Sequence, residues 1–344
     1  MTLYPVEMQA RRAHVRQPIP IYIEPMPGEA LASWLCRLAS KIGLPPLAFI
    51  RHAFGIDCRS DAQWWRRPSR EQLATVAAGT GVTLERLAAM TLADWSLARL
   101  DEHPQRLDAQ YALHPPAQHA ADRFTAACLR CLAEDEHPYV RRDWMIGWLA
   151  ACPRHQCRLL HRCPTCRAEL RIGDLRSREA VVVDRCRRCG SSWRQLRAPA
   201  ANPAAIELQG RLLDMKHRGV AVLPGLGRVE WASFMTVADL IAAAMWRETA
   251  DYHRERLFER ILHDLDMPAS NRVLVEWPSN YGALLTLAWL MADWPTRLEL
   301  MLKELHAPGI ENLLDQLPDL DDGLRQKLPD LLGPAWHHHQ REVP

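Results

Sequence analysis

The chain has 344 residues, which is room for two to three domains of about 100–200 residues each. Hydrophobic residues account for 48% of the chain and charged residues for 24%, an ordinary globular composition that argues against wholesale disorder. The formal net charge of +2 neither favours nor excludes a nucleic-acid partner.

The sequence carries no sign of export or membrane insertion. Charged residues interrupt the segment from Met1 to Arg16, which therefore lacks the apolar core of a secretory signal. The longest apolar stretch, Ala283 to Trp294, is well short of the ~20 residues that span a bilayer. We expect a cytoplasmic protein without a membrane partner.

The N-terminal region is predicted to be helical from Gly28 onward. Apolar residues recur on one helical face, and the run ends between Gly43 and Pro45. The residues on this face are Leu31, Trp34, Leu35 and Leu38. A second short helix is expected over residues 47–54, ending at Gly55.

A helix-turn-helix-like segment follows. Ser69 and Gln72 have the spacing of a capping box, Gly79 and Gly81 are expected to break that helix, and Thr83 caps the next one. The second helix would enter a DNA major groove, but Arg86 is its only basic side chain. Contact with a protein partner is therefore favoured over direct base reading, and both stay open.

Proline-containing breaks near residues 114–116 and 198–203 divide the chain. We predict an N-terminal helical domain over residues 1–116, a metal-binding module over 117–198 and a C-terminal domain over 199–344. Amphipathic segments recur in the last of these, which is predicted to be all-helical. They cover residues 206–215, 237–246, 257–265, 281–291 and 298–305. The fold class is thus mainly α around a central double zinc module.

Eight residues of the central module form two metal-ligand patterns. Cys128-x-x-Cys131 is followed by Cys152-x-x-His155, and Cys163-x-x-Cys166 is followed by Cys186-x-x-Cys189. Two intervening residues let both donors of a tight turn, here called a knuckle, face one ion. A short spacer then brings the second knuckle to the opposite side of that ion. The pattern predicts a double zinc-ribbon or zinc-finger module with two structural Zn²⁺ ions.

Other candidate ligands leave alternatives open. Cys157 is a rival fourth donor for the first site, although His155 keeps the two-residue spacing. Cys36 and Cys58 stand alone and are expected to pack as small apolar residues. The histidines 337–339 could bind metal weakly or belong to a frayed tail, which we favour.

The sequence lacks the patterns of the enzymes that use such metals. Closed four-ligand sites are structural, whereas catalytic zinc keeps a position open for water. The chain contains no His-Glu-x-x-His motif, no zinc-deaminase signature and no Gly-Lys-Ser/Thr phosphate loop. We therefore predict that it is not an enzyme.

The central module is modestly basic. Residues 128–197 hold 15 arginines against 8 acidic residues, and the two zinc sites, at about −1 and about −2 with their deprotonated thiols, would reduce the net charge to about +4. Arginines beside the last two cysteines can neutralise DNA phosphates, which predicts weak, salt-sensitive binding. These DNA-contact candidates are Arg185, Arg187, Arg188 and Arg194.

Three places in the chain resemble the TniQ family of transposon-targeting proteins, which includes the TnsD type. Residues 27–39, PGEALASWLCRLA, are similar to the family's opening motif P-x-E-S-L-x-S-W-L-x-R-L-A and are called the N-terminal signature below. The two knuckles of the first site, the Arg-Arg-Asp-Trp at 141–144 and the Cys163 knuckle follow the family's zinc pattern in order. Glu276-Trp277-Pro278 is similar to a weaker C-terminal motif.

The resemblance implies a transposition adapter without chemistry of its own. Such a protein links a DNA site or an RNA-guided effector complex to an AAA+ ATPase regulator, and through it, indirectly, to the transposase. Arg37 lies off the centre of its apolar face and is a candidate contact for an acidic partner. Two copies could pair through their helical domains. The alternative is a zinc-dependent DNA-binding regulator of transcription or recombination.

Overall fold

The computed structural model describes residues 19–56, 65, 68–92, 126–170, 183–223, 227–231, 233–235, 238, 251–268, 280–305 and 326. This part of the chain is mainly helical with two small antiparallel sheets, which confirms the predicted fold class. Its helices are α1 (Leu31–Ile42), α2 (Pro46–Phe54), α3 (Arg70–Thr80), α4 (Leu84–Ala89), α5 (Leu129–Glu134), α6 (Pro203–Arg218), α7 (Asp251–Asp264), α8 (Asn280–Ala292) and α9 (Thr296–Leu305). The strands are β1 (Ala151–Cys152), β2 (Cys157–Arg158), β3 (Val220–Leu223) and β4 (Gly227–Glu230).

The helix boundaries in the N-terminal region follow from local capping chemistry. Ser69 Oγ accepts a hydrogen bond from Gln72 N, and Gln72 Oε1 accepts one from Ser69 N, so the capping box is confirmed. Thr83 caps α4 as predicted. The expectation that Gly79 breaks α3 was wrong, because the helix continues to Thr80 and ends at Gly81, whose φ is +74°.

Gly79 instead serves packing between helices. A Cβ atom at this position would lie 2.9 Å from Phe54 Cε1. The missing side chain therefore lets α3 approach the end of α2, which is a use of glycine inside a helix that sequence pattern alone does not separate from a break.

A short segment at residues 139–142 joins the N-terminal helices to the cysteine-rich region. Ala30 N donates to Val140 O at 2.9 Å, and Arg142 N donates to Gly28 O at 2.8 Å. Ser33 Oγ, on α1, accepts from Val140 N at 3.0 Å. These backbone pairings place the start of α1 beside the elements that carry the first cysteine group.

Helix α6 joins the cysteine-rich region to the C-terminal helices. The Gln209 amide pairs with both backbone polar groups of Ala151, accepting at 3.0 Å and donating at 2.9 Å. Asn202 caps α6, and its backbone N–H donates to Tyr281 Oη on α8 at 2.6 Å. Hydrogen bonds thus cross the boundary predicted near residue 199, and the domain limits themselves stay predictions.

Helix α8 is the centre of the C-terminal packing, since every residue from Tyr281 to Met291 is buried. The prediction that this region is all-helical was wrong at β3 and β4, which pair in antiparallel register over residues 220–230. Ala221 and Leu223 point inward and Val222 is 59% exposed, so the alternation of a strand replaces helical periodicity there.

Several predicted features fall outside the described residues. They are the linker at 114–116, most of the amphipathic segment 237–246, Glu276-Trp277-Pro278, Cys58 and the histidines 337–339. Within the described part of the chain, no helix combines the length and the apolar character needed to cross a bilayer.

Candidate metal centres

The first centre brings together Cys128, Cys131, Cys152 and His155, whose candidate ligand atoms all lie within 4.8 Å of one another. Cys128 is the N-cap of α5, and Cys131 lies in that helix's first turn. Cys152 ends β1, and His155 lies in the tight turn that leads to β2. Each two-residue knuckle therefore sits at a turn, as the spacing predicts.

The distances in the first centre fit a tetrahedral zinc ion. His155 Nδ1 lies 3.3 Å from the Sγ atoms of Cys128 and Cys131 and 3.6 Å from that of Cys152. The Cys131 and Cys152 Sγ atoms are 3.7 Å apart. Ideal tetrahedral zinc bonds place sulfur pairs about 3.8 Å apart and sulfur–nitrogen pairs about 3.5 Å apart.

A carboxylate supports the histidine from behind. Glu134 Oε2 lies 2.9 Å from His155 Nε2, so the other ring nitrogen, Nδ1, faces the sulfurs. Arg154 donates to the same carboxylate at 2.8 Å. Burial of the ring lowers the pKa of His155, but the hydrogen bond to Glu134 acts in the opposite direction, and the pKa is raised overall. A histidine ligand oriented by a carboxylate is the usual arrangement around protein-bound zinc.

The second centre groups Cys163, Cys166, Cys186 and Cys189 within the same 4.8 Å limit. The Cys163 and Cys189 Sγ atoms are 3.8 Å apart, and those of Cys166 and Cys186 are 3.7 Å apart. All four thiol donors fit zinc by separation and by chemistry.

Three of the four knuckles close with a left-handed residue. Gln156, Arg167 and Gly190 have φ values of 48°, 59° and 74°. Each donates its backbone N–H to the carbonyl of the first ligand of its knuckle, at 2.8 to 2.9 Å. This shared turn aims both side chains of the knuckle at one point. Of these three residues, only Gly190 carries a sequence signal for this turn, because glycine is the residue that favours a positive φ.

Hydrogen bonds and burial shift the pKa values of the thiols in the two groups in opposite directions. A hydrogen bond with Cys131 lowers the pKa of Cys128 to about 6, and hydrogen bonding to Ser191 lowers that of Cys189 to about 6. Burial raises the pKa of Cys186 to about 12. A bound metal ion deprotonates its thiol ligands outright, so zinc would hold all of them as thiolates.

The remaining described cysteines differ in their surroundings. Cys157 Sγ lies 3.5 Å from Cys128 Sγ, yet Cys157 stands outside the four-donor group. Cys36 is 2% exposed in the N-terminal core and belongs to neither group, in keeping with a packing role. Both centres offer four protein donors, the arrangement of structural zinc.

The predicted contact arginines fall into two classes. Arg37 and Arg86 are engaged within the chain, where Arg37 pairs with Glu29 and Arg86 donates to Pro25 O at 3.0 Å. The other four are exposed, and Arg185 also pairs with Asp184. The exposed residues are Arg185, Arg187, Arg188 and Arg194. Their partners stay predictions.

Sequence reasoning missed Glu134, which lies within hydrogen-bonding distance of His155, and the contacts of Arg141, which it had named only as part of the 141–144 motif. Glu134 follows Cys131 by three positions on α5, which is the spacing that places two side chains on one helical face. Arg141 donates twice to Asp135, at 2.7 and 2.8 Å, and its guanidinium lies 4.8 Å from the Trp144 ring centre. The Glu134 spacing could have been found from sequence, whereas the Arg141 contacts could not.

The comparisons with known proteins agree with these observations. Residues 20–159 match the family model TniQ, a span that includes α1 to α5 and the whole first centre. No curated protein matches the chain. The chain therefore carries a TniQ domain over residues 20–159.

Proposed function

We propose that this protein is a non-catalytic targeting adapter in transposition. It links a target-bound component, either a DNA site or an RNA-guided effector complex, to an AAA+ ATPase regulator and so to the transposase. The observation that carries the proposal is the TniQ domain over residues 20–159, with its four-donor metal group.

The internal connections support a bridging role. The 139–142 segment is hydrogen-bonded to the start of α1, and Gln209 of α6 is hydrogen-bonded to β1. An adapter of this kind can hold two partners at a fixed separation, because hydrogen bonds as well as the chain itself connect the neighbouring regions. Linking two modest interactions raises the effective concentration of the second partner to roughly millimolar with short linkers.

The test is direct association of the full-length protein with an AAA+ transposition regulator, measured with DNA and with ATP, ADP or no nucleotide. Arg37→Glu would be a poor probe, since it breaks an internal ion pair. Two exposed helical lysines give a matched pair: Lys41 on α1, beside the signature, and Lys303 on α9.

If the N-terminal region contacts the regulator, Lys41→Glu should weaken association and Lys303→Glu should leave it unchanged. Complete lack of association under every nucleotide condition would reject the adapter.

The second candidate is a zinc-dependent DNA-binding regulator, favoured by the exposed Arg187, Arg188 and Arg194 around the second centre. Phosphate contacts alone would give weak binding that falls steeply with salt, and Arg188→Ala should reduce the salt dependence by about one counterion. A tight complex with one defined duplex that persists at physiological salt would favour the regulator instead.

A further inference from the structure

The first centre contains one donor more than a tetrahedral zinc ion needs. Besides the Cys128, Cys131, Cys152 and His155 group, the Cys157 thiol lies 3.5 Å from Cys128 Sγ. Cys157 is 3% exposed and is the strand partner of Cys152 across β1 and β2. Two of the three thiols of the group therefore border this additional sulfur.

We infer that Cys157 is a reserve ligand of the first centre, which takes the fourth coordination position when His155 leaves it. Zinc accepts sulfur or nitrogen donors, so either residue could hold a bound ion at this position. If His155 were displaced, the Cys157 thiol would lose its proton to solvent, and the donor set would change from Cys₃His to Cys₄.

The surroundings favour His155 as the resident ligand. Its Nδ1 atom lies within 3.6 Å of all three sulfurs, and Glu134 holds the ring from its other nitrogen. Cys157 stands outside the four-donor group and contacts it from the side of Cys128 and Cys152.

The same surroundings would leave no unpaired charge if His155 left the centre. Arg154 pairs with Glu134 at 2.8 Å, so this carboxylate keeps a cationic partner after the imidazole has gone. The centre's net charge would fall from about −1 to about −2 on gaining a fourth thiolate. Arg130, which lies 4.0 Å from Glu134, adds a second positive charge on this side.

The experiment measures zinc per chain in the full-length protein and in His155→Ala, Cys157→Ser and the double variant. We expect two zinc ions in the wild type and in each single variant, and one in the double variant. The second centre, which is unaltered, provides the internal reference of one ion even if the first centre of the double variant unfolds. Cys36→Ser is the control for loss of a buried thiol that belongs to neither centre.

Cobalt substitution identifies the donors. In His155→Ala, the ligand-field bands of bound Co²⁺ should move to longer wavelength and the sulfur-to-cobalt absorption should rise, because four thiolates replace three. A single zinc ion in His155→Ala would overturn the inference, since no reserve ligand would then exist. One zinc ion in Cys157→Ser would also overturn it, because Cys157 would then be the resident ligand. Neither readout depends on the proposed adapter function.

Discussion

Substitution of Glu29 tests whether the polar residues of the N-terminal signature stabilise the fold or contact a partner. Its carboxylate is completely buried and accepts from Met26 N at 3.0 Å, from Ser33 Oγ at 2.8 Å and from Arg37. Ser33 Oγ in turn accepts from Val140 N, so the same network holds the 139–142 segment. Three polar residues of the signature are thus occupied inside the molecule.

Glu29→Ala should destabilise the protein by about 3 kcal/mol, the lower end of the cost of breaking a buried ion pair. The lower end applies because Arg37 is still 16% exposed and keeps part of its hydration. Burial also raises the pKa of Glu29, which means that the native carboxylate is itself held at a cost. Glu29→Gln should lose less than Glu29→Ala. Met26 N and Ser33 Oγ donate to different carboxylate oxygens, so the single amide oxygen of glutamine can still accept from one of these two neutral donors.

The assay is urea unfolding followed by tryptophan fluorescence. With a slope of about 3 kcal/mol per molar, a 3 kcal/mol loss lowers the midpoint by about 1 M. Glu24→Ala is the matched control, because Glu24 is an exposed carboxylate on the same segment and should change stability by less than about 0.5 kcal/mol. Equal midpoints for Glu29→Ala and Glu24→Ala would refute a structural role for the network.

Three further outcomes are expected. Elemental analysis should return two zinc ions per chain, and Cys163→Ser should raise protease sensitivity far more than Cys36→Ser, because metal binding adds to folding energy only at the former; equal sensitivity would contradict the ligand assignment. Gly79→Ala should lower the free energy of unfolding by about 1–3 kcal/mol, since its Cβ would lie 2.9 Å from an aromatic carbon of α2. Gly210→Ala, with nothing within 4 Å, should be neutral or stabilising by up to about 1 kcal/mol, and denaturant titration of both variants checks the contrast. Burial lowers the pKa of His161 to about 4 from 6.5. The contribution of His161 to the free energy of unfolding should therefore be fully present above about pH 6.5 and decline as the pH falls toward 4. His161→Phe should flatten that decline in unfolding midpoints measured against pH, and an unchanged profile would count against it.

Local contacts explain why the helix caps and the candidate metal ligands could be predicted from the sequence. The capping box of Ser69 and Gln72 and the Thr83 cap depend on residues three positions apart, which is within the reach of pattern analysis. The donor sets were also predictable, because a knuckle is itself a local turn and zinc restricts its ligands to sulfur and nitrogen at fixed separations. The structure groups the same eight residues.

Features that depend on distant parts of the chain were decided only by tertiary structure. The sequence around Gly79 predicts a helix break, whereas in the fold this glycine allows α3 to pack against α2. Arg37 is predicted to be a surface charge, whereas in the fold it forms an ion pair with Glu29. The position of Cys157 beside Cys128 likewise follows from the pairing of two knuckles that are separate in sequence. Spacing along the chain fixes which residues can serve one turn or one ion, whereas burial and charge pairing depend on which segments pack together, and that is a property of the whole fold.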